Sequence, residues 1–239
     1  MSLAVIGGTG ALDLFAVRER RALTTEFGVP SAEPALIQLG SQQAWFLARH
    51  GLPHRLPPHR INYRANIQAL KDLGVDRIIA INAVGGIDPS LKPGALVIPD
   101  QLIDYTWGRC HTFSDDADSV LDHVEFGDPF TASLRQELLQ AAGRASVPVL
   151  ADGCYAVTQG PRLETSAEVR RLAADGNTLV GMTAMPEAAL ARERNMGYAS
   201  LCVVANPAAG VSPEPISIEE IHVVLESAMG QVKQLLACF

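Results

Sequence analysis

Arg77-Ile-Ile-Ala-Ile-Asn-Ala-Val-Gly-Gly86 is the stretch on which the fold turns. Residues 78–81 after Arg77 are apolar and mostly β-branched with no helical period, so they read as a strand buried on both faces. Residues 82–86 then form a strand exit of small residues, a backbone that a ligand can approach closely. The same pattern recurs outward in both directions. Leu3–Ile6, Ala44–Leu47, Ala95–Ile98, Thr178–Val180 and Ala199–Val204 are further short apolar runs that read as strands. Between them, residues 63–73, 129–145, 165–174 and 186–194 carry apolar positions at three- and four-residue spacing, and Ser217 opens a last helix reaching Leu236. This alternation predicts an α/β fold, a mostly parallel or mixed sheet flanked by helices, in one domain over residues 1–239. The stretch 109–128, rich in Asp and without periodicity, is the longest loop and a candidate for function or a subunit contact.

Composition narrows the function classes. With 48% hydrophobic and 19% charged residues in a chain of 239, a disordered protein is excluded. A formal charge of -7 and a pI of about 5.3 argue against nucleic acid or an anionic membrane as partner, although a few local donors can still hold one phosphate. Cys110, Cys154, Cys202 and Cys238 form no C-x-x-C pair, which predicts reduced thiols rather than a zinc site or a disulfide framework. The run Leu3–Ile6 is broken by Gly7-Gly8-Thr9-Gly10 with no basic segment before it, so neither signal peptide nor membrane span is expected. The expectation is a soluble, cytoplasmic protein.

Five strand exits are candidate ligand loops. Gly8-Thr-Gly10 begins like a dinucleotide fingerprint, but Asp13 stands where a third glycine belongs, and no G-x-x-x-x-G-K-[ST] occurs. What remains is a turn whose N–H groups and Thr9 hydroxyl either cradle an anion or simply turn the chain. Arg49-His50 pairs a permanent cation with an imidazole, suited to phosphate or to a structural contact. His50, His54 and His59 are separated by Pro53, Pro57 and Pro58, so they share no helix face and no metal is expected. Gly181-Met182-Thr183, just before Pro186-Glu187, puts a hydroxyl at a helix start, for an anion or for a cap. Glu164 is either a ligand or a first-turn carboxylate. Asn206, with the donor and acceptor needed to read a purine edge, is alternatively a turn residue before Pro207.

Taken in order, IGGTG (6–10), RHG (49–51), PPHRINYRANIQALKDLGV (57–75), NAVGG (82–86), PGALVIPDQLID (93–104), TQGPRLET (158–165) and GMTAMPEAALARE (181–193) resemble the trimeric purine nucleoside phosphorylase and methylthioadenosine phosphorylase family over nearly the whole chain. The resemblance implies a nucleoside phosphorylase-like fold with a central mixed, partly barrel-like sheet. It implies phosphorolysis, with phosphate as co-substrate and no metal or organic cofactor. By the same resemblance Thr9, Arg49, His50 and Thr183, with the backbone near Ala83, hold phosphate. Gly181 and Met182 lie along the ribose, and Ala83, Val84 and Gly85 line the base. Glu164 and Asn206 match the 6-oxopurine branch, in which Glu accepts from N1–H and Asn bonds O6 and N7, and Ala208 stands where the 6-aminopurine branch has a second Asp. The chemistry agrees, since a carboxylate facing O6 sets two acceptors in contact whereas an amide donates.

At the sugar's 5′ end, Ile218 falls where methylthio-type members have an apolar residue in place of a His, with His222 one turn on. His123 matches a residue that enters the neighbouring subunit's 5′ pocket, implying a homotrimer with shared sites. Together these positions imply phosphorolysis of S-methyl-5′-thioinosine to hypoxanthine and 5-methylthioribose 1-phosphate, with Asn206, Glu164 and His50 as the catalytic candidates. The alternatives are an inosine or guanosine phosphorylase, a methylthioadenosine phosphorylase, or a non-catalytic purine-binding protein. Two positions depart from the family pattern: Leu163 replaces the usual Phe on the purine face, and Asn82 replaces a small hydroxyl residue near the phosphate.

Overall fold

The computed structural model describes residues 2–8, 11, 14–115 and 121–239. Along the chain come β1 (Ser2–Gly7), β2 (Val17–Arg20), β3 (Ala35–Leu39), β4 (Gln42–Ala48), α1 (Tyr63–Asp72), β5 (Val75–Gly86), β6 (Leu96–Val97) and β7 (Gln101–Asp104). Then follow α2 (Ala132–Ala145), β8 (Val149–Leu150), β9 (Cys154–Val157), α3 (Ser166–Ala174), β10 (Leu179–Gly181), α4 (Ala184–Glu193), β11 (Gly197–Pro207) and α5 (Ile218–Ala237). All the described strands belong to one mixed sheet in the order β2-β3-β4-β1-β5-β10-β9-β7, from which β11, β6 and β8 branch at β5.

The branch arises because β5 is long. Its first part pairs in parallel with β1 on one side and β11 on the other, and its last two residues pair antiparallel with β10. The residues read above as an exit, 82–86, are therefore still strand, continued by their pairing with the end of β11. The barrel-like expectation is corrected. The sheet is open, with β2 and β7 at the ends of its main path.

Strand alternation builds a core on each face. Leu3 and Val5 of β1, Ile79 and Ile81 of β5, and Leu201 and Val203 of β11 pack with Leu134 and Leu138 of α2 and with Leu225, Val232 and Leu235 of α5. Ala4, Ile6, Ile78, Ala80, Tyr198, Cys202 and Val204 face the other way, toward Ile67 and Leu70 of α1 and Ala188 and Leu190 of α4. Each fully buried aliphatic side chain contributes about 1.5–3 kcal/mol, so two such layers hold the strand ends rigidly. A smaller cluster seats α3 through Val169 and Leu172 against Ala156, Val180 and Ala208.

Helix starts follow local chemistry. Asn62 caps α1 by accepting from the Ala65 N–H, Ser217 caps α5 through the Glu220 N–H, and Thr165 and Glu168 form a reciprocal capping box on α3. Met185 is extended, with Pro186 after it, so the regular part of α4 starts where the sequence placed it. Among the described residues no helix is long and apolar enough to cross a membrane, and no group of three or more His, Cys, Asp or Glu could hold a metal ion.

Candidate active site

The strand ends open onto a cavity of about 490 Å³. Arg49, His50, Ala83, Val84, Gly85, Leu163, Glu164, Gly181, Met182, Thr183, Asn206 and Ala208 all line it, so positions scattered over the sequence converge on one space. Gly8 lines it too. A Cβ there would lie 3.4 Å from Arg49 Nη1 and 3.8 Å from His50 Nε2, so the bare glycine leaves room over both donor and ring. Thr9 lies outside the described residues.

At one end Arg49 follows β4 and is 1% exposed. It is not a free cation. Its Nε and Nη2 donate to the two carboxylate oxygens of Glu187, each at 2.8 Å, and Nη1 donates to the Ile81 carbonyl at 3.1 Å. Glu187 is wholly buried and also accepts from the Tyr198 hydroxyl at 2.8 Å. Burial alone would lower the Arg49 pKa, but the Glu187 carboxylate outweighs it and holds the guanidinium firmly charged. The sequence reading treated Glu187 only as a helix-start residue. Its partner is 138 positions away, and nothing in the spacing signals the pair.

His50 is the neutral member of this corner. Nδ1 lies 2.7 Å from the Leu56 carbonyl and donates to it, which leaves Nε2 as an acceptor. Burial first, then the Arg49 charge, push its pKa down to about 4. His54 stacks on it, with ring centroids 4.3 Å apart, and also lines the cavity. Thr183 stands at the start of α4 but makes no side-chain cap; its Oγ1 accepts from Asn82 Nδ2 at 2.9 Å.

At the other end, Glu164 Oε1 accepts from the Thr158 hydroxyl at 2.6 Å, leaving Oε2 for a ligand. The register of β11 slips between Val204 and Asn206, a bulge that sets Asn206 opposite Gly85. Asn206 Nδ2 donates to the Pro207 carbonyl at 2.6 Å, leaving its second amide proton and Oδ1 for other partners. Leu163, 41% exposed, reaches the rim where the family has Phe.

One expectation at the sugar end is adjusted. Ile218 is the first residue of α5, 52% exposed and away from the cavity. Ile216 before the helix and Ile221, three residues after Ile218, line the cavity instead; Ile218 shares a helix face with Ile221 but sits in the exposed first turn. His123 is exposed and outside this chain's cavity.

The structure adds Arg109, from the loop singled out for its length. It is 8% exposed and pairs with no carboxylate among the described residues. Its donors go to the carbonyls of Met182 (2.9 Å), Met185 (2.6 Å), Gln159 (2.9 Å) and Thr158 (3.2 Å). The ends of β9 and β10 and the start of α4 are thereby tied behind the cavity, at the cost of a burial that lowers the Arg109 pKa.

The phosphorylase superfamily model matches residues 2–239. The chain belongs to the phosphorylase superfamily. It is 49% identical over 236 residues, 98% of this chain and 96% of the relative, to a probable S-methyl-5′-thioinosine phosphorylase of Pseudomonas syringae pv. tomato. It is 41% identical over 239 residues to a 6-oxopurine nucleoside phosphorylase of Pyrococcus furiosus, covering 98% of this chain and 90% of that one. Among solved structures it superposes on the methylthioadenosine phosphorylase of Schistosoma mansoni in complex with adenine, with a TM-score of 0.94 and 34% identity over 100% of this chain and 90% of that chain. This superfamily member thus shares its fold with proteins whose names span both base classes weighed above.

Proposed function

We infer that this superfamily member is a purine nucleoside phosphorylase acting on S-methyl-5′-thioinosine, with hypoxanthine and 5-methylthioribose 1-phosphate as products. The observation that carries the base assignment is that Glu164 and Asn206 line one cavity, each with a polar atom not engaged among the described residues. A carboxylate accepts from N1–H, and an amide donates to the O6 and N7 edge; a 6-aminopurine offers neither the N1–H nor the O6 acceptor.

The reaction moves two electron pairs, both at the anomeric carbon of the sugar. A phosphate oxygen forms a bond to the anomeric carbon as the carbon–N9 bond breaks, and the departing pair spreads over the purine toward N7 and O6, where the Asn206 amide stabilises it. Phosphate sits at the Arg49, His50 and Thr183 end. The Arg49 charge is already balanced by Glu187, and the unprotonated His50 Nε2 accepts the remaining O–H of monohydrogen phosphate. The oxocarbenium-like sugar forms between that anion and the purine, along Met182. Neither metal nor organic cofactor enters this scheme.

Ile216 and Ile221 supply the apolar wall for the methylthio group, which leaves a 5′-hydroxyl without a partner there. His54 on the same cavity favours, as second reading, an inosine phosphorylase, since its imidazole could bond that hydroxyl. The reading includes a cytoplasmic homotrimer serving nucleoside salvage, with His123 completing the neighbour's 5′ pocket. The exposed Trp107 and Leu121 in the connection between β7 and α2, 73% and 68% accessible, support burial against another copy.

The test is product analysis with purified protein and S-methyl-5′-thioinosine. Hypoxanthine is expected to appear with phosphate, in equal amount with 5-methylthioribose 1-phosphate, and not without it. Base release of the same rate in phosphate-free buffer would refute phosphorolysis.

A further inference from the structure

Asn82 stands where the family resemblance expects a small hydroxyl residue, and the sheet register explains what it meets. In the β5–β11 pairing Asn82 lies opposite Cys202, with Ser200 two residues before it. Residues two apart on a strand share a face, so three polar groups, each at most 1% exposed, gather on the side that carries α4.

Counting protons gives the chain a direction. Ser200 has one hydroxyl proton and donates it to Asn82 Oδ1 over 2.6 Å. Its oxygen then accepts from the Cys202 thiol at 3.3 Å, which burial keeps protonated by pushing its pKa up to about 12. With Oδ1 so engaged, the amide presents Nδ2 to Thr183 Oγ1 at 2.9 Å. An amide nitrogen only donates, so Thr183 accepts there and its own proton must point elsewhere. Thr183 does not cap α4 and lines the cavity. The adjacent Tyr155 hydroxyl approaches it without reaching hydrogen-bonding geometry.

We propose that Ser200 and Asn82 are positioning residues that act through Thr183, making its hydroxyl an obligate donor toward an oxyanion in the cavity. The inference rests on the phosphate reading given above. A donor oriented before the anion arrives needs no reorganisation when it binds. The relay therefore bears on phosphate, or on arsenate of the same shape, and leaves the nucleoside end of the cavity untouched.

The test is steady-state kinetics of the full chain with phosphate and nucleoside varied in turn, for Ser200→Ala, Ser200→Thr, Thr183→Val and the double variant Ser200→Ala/Thr183→Val. Ser200→Ala is expected to raise the KM for phosphate about fivefold, as for one neutral hydrogen bond, with the nucleoside KM within about twofold. Ser200→Thr, which keeps the hydroxyl, restores it. In the Thr183→Val background Ser200→Ala adds nothing, because both act on one group. Additive effects in the double variant, or equal rises in both KM values, overturn the relay. If Thr183→Val raises the phosphate KM while Ser200→Ala leaves it unchanged, the relay fails and the phosphate reading stands. If Thr183→Val itself leaves the phosphate KM unchanged, Thr183 holds no phosphate and both fail. Asn82→Ala, unable to donate to Thr183, is expected to match Ser200→Ala and replaces it should that variant not fold.

Discussion

Glu187→Gln isolates the buried charge on which the phosphate end is built. Glu187 is wholly buried, takes both forks of Arg49 at 2.8 Å and receives the Tyr198 hydroxyl at the same distance. Glutamine has nearly the same shape and keeps one acceptor, but it leaves a guanidinium that is 1% exposed without its counter-charge. Neutralising one partner of a buried pair costs about 3–5 kcal/mol, and the retained acceptor places this change near 3. For a chain of 239 residues each kcal/mol moves the melting midpoint by about 2–4 °C, so a fall of about 6–12 °C is expected. Chemical denaturation followed by circular dichroism reads the same loss. Added phosphate offers the unpaired guanidinium a replacement anion. Ligand at about 100 times its Kd stabilises any folded protein by roughly 2.7 kcal/mol, and the variant binds more tightly, so it should gain more than the parent at equal phosphate. A loss below about 1 kcal/mol, or identical phosphate gains in both proteins, would refute the reasoning.

Asn206→Asp replaces the donor on the purine edge with an acceptor, and kcat/KM for an oxopurine substrate should fall roughly 100-fold, while a change under threefold would remove Asn206 from base recognition. His50 has its pKa lowered from 6.5 to about 4, so between those values the unfolded chain binds a proton that the folded chain refuses. Stability from this group is full above about pH 6.5 and lost as pH falls toward 4, by up to about 3 kcal/mol. The slope of stability against pH in that window should be shallower in His50→Gln, and an unchanged slope contradicts the assignment. Arg109→Met leaves four backbone carbonyls behind the cavity without their donor and should cost at least about 3 kcal/mol in denaturant titration, against which a neutral result would count.

Elements differ in how strongly their sequence marks them. The central strands were legible because β1, β4, β5 and β11 each carry a mostly buried, predominantly apolar stretch. Strand β2, Val17-Arg-Glu-Arg20, is exposed throughout and owes its conformation to pairing with β3, so its composition carries no signal. Strands β3 and β9 are short and went unread for a related reason, since a few apolar residues do not outweigh the surrounding polar positions. The site residues at strand ends were legible through small-residue motifs. Glu187, Arg109 and Ser200 were not, because each acts through a partner distant in sequence: Arg49, the 158–159 and 182–185 carbonyls, and Asn82. The Ile218 misplacement has a local cause. An alignment across a loop of changed length fixes a helix start only to within a turn, and Ile218, in the exposed first turn of α5, falls short of the cavity that Ile216 and Ile221 line.

The central claim is that one cavity joins a keto-purine wall at Glu164 and Asn206 to a greasy end at Ile216 and Ile221. Side-by-side kcat/KM values for S-methyl-5′-thioinosine, inosine and methylthioadenosine at saturating phosphate test it most directly. The account predicts that S-methyl-5′-thioinosine is cleaved most efficiently and methylthioadenosine least. Preference for methylthioadenosine contradicts the base wall, and preference for inosine contradicts the apolar end.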